Sequence, residues 1–227
     1  MSELSPLWIS LKTSIASTFI VFFLGIAVAW FMASYRGKIR GVIDGILTLP
    51  MVLPPTVVGF ILLMIIGKNF FLGKLLDSFG ITLIFTWSAT VIAATVVAFP
   101  LMYRTCVGAF SQIDINIIYA ARTLGVSEWK IFWKVAIPLA WPGIAAGTVL
   151  SFARALGEFG ATMMVAGSIV GKTQTIPVAI YFAVMNGETN NALKWVLLIF
   201  IITLTVMVVT NKWSEKQEAL ISSVRRK

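Results

Sequence analysis

The chain has 227 residues and a net charge of +9; 59% of its residues are hydrophobic, only 12% are charged, and the mean hydropathy is +0.94. Soluble domains average about 45–50% apolar and about 25% charged residues, so these values exclude an ordinary water-soluble globular fold and point to lipid as the solvent for most of the surface. With no histidine and a single cysteine, Cys106, the chain lacks the commonest general base and metal ligand and has no second thiol for an internal disulfide.

A helix that crosses the hydrocarbon core needs about 20 largely apolar residues. Residues 11–34 form the first such run, with Lys12 placed to snorkel to the interface. No basic segment precedes it and the run is long, so it is expected to stay as a transmembrane helix rather than act as a cleaved signal. Residues 42–66 form the second, interrupted by Pro50, Pro54 and Pro55. Proline removes a helical donor, so this span is expected to be kinked or partly unwound, a break that membranes tolerate where other protein groups or a water-filled path satisfy the freed carbonyls. Residues 83–109 form the third, with Pro100 as an expected kink.

Residues 111–138 are more polar and read as two short helices. Asp114 is placed to cap the first, Gly125 to end it, and Ser127 to cap the second. Trp129, Phe132 and Trp133 put aromatic bulk on the second helix, and Pro138 marks the return to the membrane. Residues 141–161 form the fourth span, rich in small residues. Residues 171–191 are apolar only around 175–185 and are expected to be re-entrant or interfacial. Residues 194–210 form the fifth span, flanked by Trp195 and Trp213 as interfacial anchors, and 213–227 is a basic tail.

Orientation follows from the loop charges. Arg36, Lys38 and Arg40 follow the first span; Arg104, Arg122, Lys130 and Lys134 end or follow the third; Lys212, Lys216, Arg225, Arg226 and Lys227 follow the fifth. Cytoplasmic loops carry such an excess, which places the N-terminus outside and the C-terminus and the 111–138 loop in the cytoplasm. The same rule accounts for the net charge, and no nucleic-acid partner is implied. An odd number of spans suits a protein that gains symmetry by pairing with a second copy.

The loop carries a motif. Tyr119-Ala120-Ala121, three residues, Gly125, nine residues, then Val135-Ala136-Ile137-Pro138 resembles the cytoplasmic signature of ATP-binding-cassette importer permeases, with Tyr119 where that family has a glutamate. Further segments resemble molybdate permeases: Leu49 to Pro55 followed by Val57-Val58-Gly59, Ala98 to Met102, Ala121 to Gly125, and Ser151 to Thr162, the last shared with sulfate permeases. The resemblance covers residues 10–212. It implies an all-α integral membrane protein of about five spans whose 111–138 loop forms coupling helices for a separate ATP-hydrolysing subunit. It also implies two ATPase copies, a second permease copy, an extracytoplasmic oxyanion-binding protein and a bacterial or archaeal cytoplasmic membrane. Ala120, Ala121, Gly125, Trp129 and Phe132 are the coupling candidates.

In span four, Gly143 and Gly147 form a small-xxx-small pair continued by Ser151. Such residues allow close helix approach, either within one subunit or across a dimer interface that lines the path. Arg154 and Glu158 are four apart and can pair, and charges at membrane depth face a cavity or a partner. The alternatives are a sulfate or tungstate permease, a membrane enzyme, and a channel or secondary transporter. Against the enzyme stands the scarcity of catalytic side chains and the lack of a Walker loop; no catalytic residue, cofactor or metal is expected.

Overall fold

A computed structural model describes residues 4–225, and side chains up to Lys212 apart from those of Phe71 and Asn211. The tail residues Arg226 and Lys227, and the side chain of Trp213, lie outside that description. The described residues are helical: α1 Ser5–Ser34, α2 Arg40–Val52, α3 Pro55–Ile66, α4 Phe71–Asp77, α5 Trp87–Ser111, α6 Ile115–Thr123, α7 Glu128–Ile131, α8 Ile137–Leu156, α9 Gly160–Ala166, α10 Ile176–Met185 and α11 Thr189–Arg225. Helices suit a chain in lipid because they satisfy every interior backbone group within one segment.

Among the described residues, four helices are long and apolar enough to cross a membrane: α1, α5, the stretch Glu128–Leu156 and Thr189–Thr210. The pair α2 and α3 is together apolar enough for a fifth, but it is bent by 114°, the geometry of a broken span or a re-entrant loop. The expected kink is therefore a full break. Leu53 and Pro54 take extended backbone angles between the two helices, because Pro55 disfavours a helical residue before it and Pro54 does the same to Leu53. Pro100 behaves differently. It lies inside α5 without ending it.

The helix α5 is central and belongs to both apolar clusters. One half, through Ala89, Ala93 and Val97, packs with Val58 and Leu62 of α3 and Ala161 and Val165 of α9. The other half, through Ala98, Met102, Tyr103 and Phe110, packs with α1 and α8. Small residues set the approach. A Cβ at Gly25 of α1 would lie 2.6 Å from Met102 Cγ. A hydroxyl ladder joins the far ends of α1 and α5: the Thr13 and Thr90 hydroxyls are 3.0 Å apart, and Trp87 Nε1–H donates to Thr13 Oγ1 at 3.0 Å. Lys12 Nζ sits 4.0 Å from the Trp87 ring centroid, so the lysine expected to snorkel lies over an aromatic face.

The fourth span differs from its expected bounds of 141–161. Its helix starts at Glu128, runs on through a five-residue π-helical turn, Phe132–Ala136, and ends at Leu156. Pro138 has no N–H for the Lys134 carbonyl, and the wider turn shifts the bonding by one residue, with Ile137 N–H donating to Phe132 O. Pro138 therefore does not separate loop from span; the two are one continuous helix. At the other end Gly157, Glu158 and Phe159 break the chain, and Gly160 and Ala161 belong to α9.

The 171–191 segment contains α10, whose ten residues reach about 15 Å, half of a hydrocarbon core. The expected fifth span lies within α11, whose apolar stretch is almost wholly exposed, with Leu193, Leu197, Phe200, Ile201 and Leu204 among its bare side chains.

The α6–α7 elbow and the Arg154 face

The helix α6 starts where expected. Asp114 caps it, Oδ1 accepting from Asn116 N–H at 2.9 Å. It ends in a Schellman turn: Gly125 N–H donates to Arg122 O at 2.9 Å and Val126 N–H to Ala121 O at 3.1 Å, with Gly125 at φ 73°. Glycine adopts that angle without steric cost. Ser127 stands at the start of α7, but its side chain makes no capping bond. Glu128 follows it in the first turn, where a negative charge suits the helix N-terminus.

Glu128 has a second partner. Arg122 Nε donates to its Oε1 at 2.6 Å and Arg122 Nη2 to its Oε2 at 3.1 Å. This two-pronged clasp closes the elbow across Gly125. It holds the Glu128 carboxyl below its ordinary range and raises the arginine, in each case chiefly through the shared hydrogen bonds. Tyr119 lies with its ring centroid 5.9 Å from Arg122 Cζ, so the residue that replaces the signature glutamate supports the same arginine. The sequence reading singled out neither Tyr119 nor Glu128 as functional.

Ala120 and Gly125 are exposed and Ala121 is half-buried. Beside them Leu124 is 82% exposed and Trp129 71% exposed, with Ile115, Ile117 and Tyr119 also bare. This is an apolar surface on a protruding, hydrogen-bonded frame. Phe132 is not part of it. Its ring lies 5.3 Å from Trp30 of α1, and it packs against the core cluster of α1, α5 and α8. Phe132 thus ties the elbow to the bundle, while Trp129 and Trp133 point outward.

Gly143, Gly147 and Ser151 lie on one face of α8, against α5 of the same chain. A Cβ at Gly143 would meet Ala109, one at Gly147 would clash with Thr105, and Ser151 Oγ is 3.5 Å from Ala98 O. The small-residue stripe is used inside the chain, where it sets the close approach of α8 to α5.

Arg154 and Glu158 do meet, Nη1 lying 2.8 Å from Oε2. The Glu158 side chain is 1% exposed and its Oε1 accepts from Ala161 N–H at 2.8 Å. One carboxylate thus closes the break between α8 and α9 and neutralises Arg154. The arginine side chain remains 31% exposed and shares the outer face of α8 with Leu150. Behind this break, a Cβ at Gly59 would lie 2.7 Å from Ala161 Cα and one at Gly160 would lie 3.0 Å from Pro55 Cβ. The two broken helices therefore touch backbone to backbone, α3 against α9.

Residues 22–214 match the model of the family described as "Binding-protein-dependent transport system inner membrane component". The chain belongs to that family. YvgM of Bacillus subtilis (strain 168) is 46% identical over 206 residues, 89% of this chain and 90% of that one. The molybdenum transport system permease protein ModB of Haemophilus influenzae is 39% identical over 216 residues, covering 95% and 94%. The ModB protein of Escherichia coli K12 is 42% identical over 193 residues, 84% of each chain.

Solved transporters share the fold. A chain of the inward-facing MetNI methionine ABC transporter superposes with a TM-score of 0.70 at 18% identity, covering 93% of this chain and 94% of that one. A chain of a bacterial alginate ABC transporter, in complex with an alginate pentasaccharide-bound periplasmic protein, gives 0.76 at 15%, covering 94% and 78%. As an inner membrane component of a transport system, the chain supplies membrane helices rather than a catalytic centre.

Proposed function

We propose that this chain is the permease subunit of an ATP-driven molybdate importer and forms the membrane path in pairs. The observation that carries this reading is the extent of likeness to ModB proteins: 39% identity across 95% of the chain, with nearly equal lengths. Two copies would join two ATP-hydrolysing subunits and an extracytoplasmic binding protein, with the N-terminus outside and the elbow in the cytoplasm of a bacterial or archaeal cell.

The α6–α7 elbow is the coupling element. Ala120, Ala121, Gly125 and Trp129 meet the ATPase, and Phe132 transmits from inside. The capped α6, the Arg122–Glu128 clasp and the unbroken rod from Glu128 to Leu156 support this role. A push on the elbow moves α8 directly, and the ATPase can shift the permease because it binds its two states unequally.

The path runs along the exposed face of α8. A charge at membrane depth is costly against lipid. Arg154 is 31% exposed on that face beside Leu150, which supports reading it as the wall of a water-filled gap between copies. Pairing with Glu158 leaves little net charge to trap a dianion, as a path that must release its cargo requires. Selectivity then resides in the binding protein. Sulfate or tungstate would fit the same permease chemistry, and the likeness to ModB favours molybdate.

The test is ATP hydrolysis by the reconstituted complex with its binding protein. Hydrolysis stimulated by molybdate-loaded binding protein, and not by the sulfate-treated protein, supports the reading. Equal stimulation by both would remove the substrate claim, and no response to the binding protein would remove the importer mechanism.

A further inference from the structure

A cavity of about 420 Å³, within the usual range for small-ligand sites, lies at the end of the bundle where α1 begins. It is walled by the start of α1, by α10 and by the first turns of α11. Its lining is mixed: Gln174, Asn186, Glu188, Asn191 and Lys194 are polar or charged, and Pro6, Phe182 and Leu198 are apolar. On α11 the change from Asn191 through Lys194 and Trp195 to Leu198 follows one helix face and takes about 10 Å. That is the polarity profile of the membrane interface, where tryptophan and lysine anchor helix ends.

Two opposite charges line the cavity. Among the described residues neither Glu188 nor Lys194 forms an ion pair. Glu188 Oε2 accepts from Asn191 Nδ2–H at 2.8 Å, which steadies the carboxylate; among the described residues its other oxygen meets no donor.

We infer that this cavity holds the headgroup of a zwitterionic phospholipid with a primary ammonium, of the phosphatidylethanolamine type. Lys194 meets the phosphate, Glu188 accepts from the ammonium, and the apolar part takes the first methylenes. A trimethylated ammonium has no N–H to donate to Glu188, so phosphatidylcholine fits the volume without the hydrogen bonds. The inference concerns an interfacial site and does not depend on the transported ion.

The test uses the full permease–ATPase complex in bilayer nanodiscs containing equal phosphatidylethanolamine and phosphatidylcholine. Retained lipid is counted by native mass spectrometry after mild detergent extraction. Wild type is expected to retain phosphatidylethanolamine in preference to phosphatidylcholine. Lys194→Gln and Glu188→Gln are each expected to lower that retention about tenfold, with the thermal midpoint of the complex unchanged. Equal retention of the two lipids by wild type, a result that involves no variant, would overturn the inference. So would undiminished retention in both variants. Variants that keep the lipid but raise the binding-protein concentration needed for half-maximal uptake would assign the cavity to that protein instead.

Discussion

Arg122 and Glu128 grip each other with two hydrogen bonds, 2.6 and 3.1 Å, across the left-handed turn at Gly125. Both side chains are substantially exposed, so breaking the clasp is expected to cost stability less than about 1 kcal/mol. The effect belongs in coupling. Arg122→Lys, which keeps the charge and loses the fork, is expected to lower uptake per ATP hydrolysed. The exchanged pair Arg122→Glu with Glu128→Arg is expected to recover part of it. Paired uptake and hydrolysis measurements on the same proteoliposomes check this.

The clasp has a defined pH range. Glu128 is held below its ordinary value by Arg122, so its contribution is complete above the ordinary glutamate range, near pH 4.3, and is lost as pH falls through the lowered value. Arginine stays charged throughout. Uptake per ATP is therefore expected to be flat between pH 6 and 8 with respect to this pair, and Glu128→Gln is expected to leave the slope of that profile unchanged.

Gly125 is a backbone requirement without a packing one. A Cβ there would meet nothing within 4 Å, yet φ is 73°. Gly125→Ala is expected to cost about 1–2 kcal/mol and Gly125→Asn less, because asparagine tolerates the left-handed region. Gly125→Val, branched at Cβ, is expected to uncouple hydrolysis from uptake. Circular dichroism melts and coupled assays on the three variants would order them Asn, Ala, Val; the reverse order would place the role of Gly125 elsewhere.

Gly59 makes the opposite case. Its Cβ position lies 2.7 Å from the Ala161 backbone, which does not yield easily. Gly59→Ala is expected to destabilise the complex by about 1–3 kcal/mol. Gly45 of α2, with nothing within 4 Å, serves as control, since Gly45→Ala in an exposed helix is neutral or stabilising by up to about 1 kcal/mol.

The faces of α8 differ in the partner they predict. Cys106 is fully buried, so a single added cysteine reports cleanly. Leu150→Cys, beside Arg154, is expected to cross-link two copies, whereas Gly147→Cys, packed on Thr105 of its own chain, is expected not to. Cross-linking only at residue 147 would exchange the two assignments.

Local chemistry was legible in the sequence. Pro54 and Pro55 announced the broken span, and Asp114 and Gly125 bounded α6, because caps and breakers act on adjacent residues. What the sequence hid depends on contacts formed at a distance. Small residues at 143, 147 and 151 signal close approach but not which helix approaches, and α5 of the same chain supplies it. Phe132 looked like a partner anchor until Trp30, a hundred residues earlier, packed against it. Glu128 sits six residues from Arg122, a spacing that no helix face brings together; the turn at Gly125 does. Pro138 looked like a boundary, and the π-helical turn before it carries the helix through.

The central claim is that this chain forms a molybdate path driven by a separate ATPase. Its most direct test is uptake of labelled molybdate into vesicles holding the complete complex and binding protein, with excess sulfate as competitor. Uptake that requires ATP and withstands sulfate is the predicted result. Uptake that proceeds without the ATPase would contradict the mechanism, and uptake abolished by sulfate would contradict the substrate.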